Sequence, residues 1–134
     1  MARYYEQTGD VNFLSQWAPR AARLFDWADS QTLSNGLLNI SDLTLGGDWK
    51  YYDPSLSGVV SKFNLIYAYS LKQWLPFMAG AGLNATMYIA RLQSLLNAIN
   101  ENVWSDTLQA YYLSESHNEF LPGSQRSCCT QRHD

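Results

Sequence analysis

The sequence predicts an all-α chain of helical hairpins, with one long irregular loop between its first and second long helices. Three observations carry that prediction. Apolar residues recur at spacings of three and four through most of the chain, the period of a helix that buries one face. Asp10 and Asn84 stand where helices would begin, and such side chains accept from the first free backbone N–H groups. Two of the helices are joined by only a few residues, and short connections make antiparallel neighbours.

Tyr4, Tyr5 and Glu6 read as the end of an earlier helix. The first long helix starts near Asp10 and carries Phe13, Leu14, Trp17, Ala21, Leu24, Phe25 and Ala28 as one stripe. Pro19 lies inside that run and predicts a kink or a restart, because proline lacks the backbone donor and crowds the preceding turn. Residues 29–54 follow as the irregular loop, holding Gly36, Gly46, Gly47 and Pro54. The stretch is too long for an ordinary connection and too aromatic for disorder.

The second long helix sets Phe63, Ile66, Tyr67, Ser70, Leu71, Trp74, Leu75 and Met78 on one face. Gly80 and Gly82 end it, with Pro76 loosening its last turn. Asn84 caps a third helix carrying Tyr88, Ile89, Leu92, Leu95, Leu96, Ile99 and Val103, and Leu83 is placed to pack on Tyr88. A further short element is expected from Thr107 through Leu113. Residues 1–122 thus form one helical domain. Residues 123–134 carry no aliphatic, Phe, Tyr or Trp side chain and cannot continue it.

Composition excludes several classes of function. The 134 residues are 46% hydrophobic, 14% aromatic and 16% charged, against about 25% charged in an average domain. A disordered chain would show the reverse balance. With a net charge of −3 and no Lys/Arg cluster, no nucleic-acid partner is expected. The longest uncharged run, Gln73 to Ala90, is broken by Pro76, Gly80, Gly82 and Asn84, so no membrane span is expected. Met1 is followed by Arg3 and Glu6 rather than an apolar run, so no signal peptide is read in this chain. Two glycosylation sequons, at Asn39 and Asn84, point only weakly to secretion of a parent protein, and the compartment stays open. Cys128 and Cys129 are adjacent, without metal-ligand spacing, and no metal or cofactor is expected.

The candidate site is the run Asp48, Trp49, Tyr51, Tyr52 and Asp53. Sugars present apolar C–H faces that stack on aromatic rings, and hydroxyls that carboxylates accept from. Carboxylates also supply acid–base chemistry at an anomeric carbon. Those residue types in one loop therefore point to a carbohydrate partner. The bland alternative is a loop pinned to the helices by its rings. Glu115, His117 and Glu119 put an imidazole between two carboxylates, at a spacing suited to a strand or extended loop. They read as solvated polar residues rather than a base or metal site, since unpaired charges stay in water. Asp26 and Asp29 follow Arg20 and Arg23 by a turn and read as surface ion pairs along one helix.

Several stretches resemble a known family. Tyr5-Glu6-Gln7-Thr8-Gly9-Asp10, then Phe13-Leu14 and Trp17-Ala18-Pro19-Arg20, resembles the turn and helix start of six-hairpin glycosidases. Gly36-Leu37-Leu38, Gly47-Asp48-Trp49 and Pro54 are similar to the loop of α-L-rhamnosidase-like enzymes of glycoside hydrolase family 78. Asn64, Tyr67, Ser70-Leu71 and Gly82 fit the helix that follows. Ala98-Ile99-Asn100-Glu101-Asn102-Val103-Trp104 and Tyr111-Tyr112 fit a later stretch of the same family. The resemblance runs from Tyr4 to Pro122.

The resemblance implies an incomplete (α/α)6 toroid and a fragment of a glycoside hydrolase acting on terminal α-L-rhamnosides, inactive alone. The family's general acid and base are expected outside this chain. Asp48 and Trp49 match its substrate-contacting loop, and whether Asp48 does acid–base work or binds hydroxyls stays open. A permitted back-translation of residues 123–134, read one base later, spells Glu-Ala-Asn-Ala-Leu-Ala-Ala-Leu-Asn-Gly-Met. That is similar to the helix start expected after Phe-Leu-Pro, so the tail reads as an out-of-frame, disordered extension. Two other readings fit parts of the sequence. One is a fragment of another six-hairpin glycosidase, trehalase- or glucoamylase-like. The other is a helical-hairpin interaction module, against which stands the lack of any fixed repeat period.

Overall fold

The computed structural model describes residues 2–40, 58–78, 80–115 and 117–120, the last four through their backbone alone. Four helices form its body: α1 (Ala2–Thr8), α2 (Val11–Ser30), α3 (Ser61–Met78) and α4 (Ala85–Asn102). Three short strands follow: β1 (Trp104–Ser105), β2 (Ala110–Ser114) and β3 (His117–Phe120).

Both expected caps form. Asp10 Oδ1 accepts from the Phe13 N–H at 2.9 Å, and Asn84 Oδ1 accepts from the Met87 N–H at 3.3 Å. Each satisfies a donor that the first helical turn leaves without a partner. α2 neither breaks nor restarts at Pro19. The carbonyl deprived of a bond there is that of Ser15, and both residues are exposed to solvent.

The buried stripe of α2 is Leu14, Ala18, Ala21, Ala22, Phe25 and Ala28. Leu24, expected inside, is 64% exposed. A step of 100° per residue carries it past the edge of the arc centred near Ala21 and Phe25. Ile66 of α3 and Ile89 of α4 point outward for the same reason.

The short connection 79–84 turns the chain back so that α3 packs along α4. The amides of Ala81 and Leu83 close the α3 terminus onto the carbonyls of Phe77 and Met78. Gly82, at φ +73°, takes the left-handed conformation this turn requires. Leu71, Met78, Ile99 and Val103 are almost wholly buried in the core. Phe25 joins α2 to this pair, its ring centroid 6.4 Å from that of Tyr67 and 6.0 Å from that of Tyr88.

The short element expected from Thr107 through Leu113 is the strand β2. β1, β2 and β3 form an antiparallel sheet in that order, with Trp104 opposite Tyr111 and Ser114 opposite His117. Gln109 adopts φ +51° in the turn, and Trp104 donates from Nε1 to Asp106 Oδ1 at 2.9 Å. Trp104 meets Tyr111 edge to face at 4.7 Å. β1 has only two residues and β2 does not alternate between buried and exposed positions, so neither shows the period of two that marks a strand in sequence. The described residues are mostly helical, as expected, with this sheet as an addition. Residues 123–134 lie outside the described residues.

Candidate functional site

Asp48, Trp49, Tyr51, Tyr52 and Asp53 lie outside the described residues. The structure describes the base from which segment 41–57 departs and to which it returns. Ile40 and Gly58 exchange two backbone hydrogen bonds, of 2.9 and 2.7 Å. The chain therefore leaves and re-enters the body at a single point.

Residues 31–40 reach that point through a tight turn. The Gly36 N–H donates to the Leu33 carbonyl at 2.9 Å, and the Leu33 N–H donates to that of Leu37 at 2.9 Å. Gly36 sits at φ +86°, and a Cβ there would stand 3.1 Å from Ala98 Cβ of α4. Leu37 and Leu38 then enter the core.

On the return side Asn64, fully buried in the first turn of α3, bridges back to this segment. Its Oδ1 accepts from the Leu38 N–H at 2.8 Å, and its Nδ2 donates to the carbonyls of Leu38 (3.1 Å) and Val60 (3.0 Å). Val60 pairs with Ser114 of β2, and the Glu115 N–H donates to the Val59 carbonyl at 3.2 Å. Asn35 Nδ2 donates to Glu115 Oε1 at 3.2 Å. The side-chain oxygen of Ser61 is buried at this junction without a hydrogen-bond partner. Turn, helix start and strand end thus meet in one hydrogen-bonded hub.

Periodicity did not single out Asn64, because that reading selects apolar residues. The available signal is a carboxamide on the buried stripe, three and seven residues before Tyr67 and Leu71. Glu115 is tied to Asn35, and His117 and Glu119 lie in β3, the strand their spacing suits. Among the described residues, no group of three His, Cys, Asp or Glu side chains is placed to hold a metal ion. No described helix is long and apolar enough to cross a membrane.

A second cluster sits between α2 and α4. Asp26 and Asp29 pair with Arg91 of α4, at 3.4 and 3.0 Å, rather than with Arg20 and Arg23 of their own helix. The Arg91 side chain is 13% exposed and lies 5.1 Å from the centre of the Tyr88 ring, while both carboxylates are about half exposed, so the pairs are surface ion pairs of small worth. Arg20 instead lies over the Trp17 ring at 4.4 Å. Burial raises the Tyr67 phenol to about 12, partly opposed by Arg91, and burial also pushes Tyr88 upward. Tyr67 donates to the Phe25 carbonyl at 3.4 Å. Between α2 and α3 an open groove of about 520 Å³ is lined mainly by apolar side chains, with Leu24, Trp27 and Tyr69 at its exposed rim.

No protein-family model matches the chain, and no match is found among curated proteins. Among solved structures, it is similar to the crystal structure of a GH78 family rhamnosidase of Bacillus sp. GL1, at 25% identity and a TM-score of 0.71. The likeness covers 84% of this chain and 12% of that one, so the chain spans a small part of the rhamnosidase it resembles.

Proposed function

We propose that this chain is a piece of a six-hairpin glycoside hydrolase and that its 41–57 segment contacts a terminal α-L-rhamnosyl unit. The likeness to part of a GH78 rhamnosidase over most of the chain carries this reading. The Gly47-Asp48-Trp49 sequence supports it, since an indole and a carboxylate suit the apolar and hydroxyl sides of one sugar ring. Trp49, Tyr51 and Tyr52 stack on the sugar, and Asp48 and Asp53 accept from its hydroxyls. In the complete enzyme the helices close into an (α/α)6 toroid. An acid protonates the leaving oxygen while a base activates water on the opposite face. This chain alone binds and does not hydrolyse.

Titration of the purified chain with L-rhamnose, followed by amide and indole NMR shifts, tests the reading. Saturable shifts at Asp48, Trp49, Ile40 and Gly58, absent with D-glucose, are expected. Equal response to glucose favours a trehalase- or glucoamylase-like parent. Release of nitrophenol from a nitrophenyl α-L-rhamnoside overturns the inactivity. A second reading, the helical-hairpin interaction module, is favoured by the apolar α2/α3 groove. It predicts no response to either sugar.

A further inference from the structure

We infer that Asn64 is a positioning residue whose carboxamide stands in for a missing strand residue and fixes the point where segment 41–57 joins the body. Ile40 pairs with Gly58 in antiparallel sense, so the next hydrogen-bonding position along that ladder would set Leu38 against Val60. At Val60 the chain is already turning into α3, and its carbonyl accepts from the Asn64 backbone N–H at 3.3 Å and from Asn64 Nδ2. Val60 is therefore not available to complete the ladder.

Leu38 cannot turn to its other neighbour. It forms an antiparallel bridge with Thr32, but the bonds of that bridge run from Leu33 to Leu37 and from Asn39 to Gln31. The N–H and C=O of Leu38 point away from Thr32, into the buried side. Left unpaired there, both would carry a desolvation cost. A primary amide presents a donor and an acceptor side by side, as a strand backbone does, and Asn64 satisfies both groups at 2.8 and 3.1 Å. Aspartate lacks the donors and alanine lacks both.

The consequence for sugar contact rests on the proposed function, but the clamp itself does not, and its test contains no sugar. Native-state amide exchange on the full chain is the measurement. In the unaltered protein the Leu38 amide, which lies outside α1–α4 and β1–β3, should exchange as slowly as amides in the middle of α3. In Asn64→Ala the amides of Leu38, Ile40 and Gly58 accelerate at least tenfold more than those of α4. In Leu71→Ala, a control on the same helix, the amides of Leu38, Ile40 and Gly58 and those of α4 should accelerate by the same factor. Uniform acceleration in Asn64→Ala overturns the proposal. Should that variant not fold, the unaltered chain decides, because a Leu38 amide exchanging at the rate of exposed turns also overturns it.

Discussion

The α3/α4 seam and the base of segment 41–57 share one helix, α3, and hold it by different physics. In the seam, Leu71 and Ile99 are buried by non-directional contact, and the attraction grows with apolar area. At the base, Asn64, Gly36 and the Ile40·Gly58 pair act through fixed distances and backbone angles. A seam tolerates a changed side chain if volume is roughly kept. A polar hub does not, because each atom there answers one particular partner. Between them lies Tyr67, whose ring packs with Phe25 while its hydroxyl reaches the Phe25 carbonyl.

The seam is the more sensitive of the two regions to truncation. Leu71→Ala should lower stability by about 3 kcal/mol, as cavities in well-packed cores do. Urea unfolding measures it, and a loss below about 1 kcal/mol would show that the seam collapses around the gap. At the base, Gly36→Ala should cost about 2 kcal/mol, from the positive φ and from the close approach to Ala98. A near-neutral result from the same unfolding series would mean that the turn and α4 move apart freely, and the contrast with the seam would fail.

The smallest effect concerns Tyr67. Unfolded, its phenol releases its proton near 10, whereas in the fold it holds it to about 12. Above the unfolded value the unfolded chain binds fewer protons, so stability is full below about pH 10 and falls as pH rises toward about 12. Unfolding at about pH 9 and about pH 11 should show a smaller decline in Tyr67→Phe than in the unaltered chain. Equal declines would place the alkaline sensitivity elsewhere.

Most of the helical body was legible from residue order. Asp10 and Asn84 cap as their chemistry demands, and Gly82 turns the hairpin, because caps and turns depend on neighbours only a few residues away. The burial stripes were legible to within one position. Leu24, Ile66 and Ile89 fell on the wrong side, since a step of 100° decides inside from outside only once the neighbouring helix is in place. The Asp48-Trp49 run was legible as a motif, although its geometry lies outside the described residues.

What residue order could not supply are the pairings between distant segments. Arg91 pairs with Asp26 and Asp29 because the fold sets its guanidinium within 3.4 and 3.0 Å of them, a neighbour that residue order along α2 does not reveal. Asn64 found Leu38 because α3 begins where a strand ladder would have continued. Helix, cap and turn follow from local chemistry along the chain. The partners of a buried amide or charge depend on which segments the fold brings within about 3 Å, where hydrogen bonding acts.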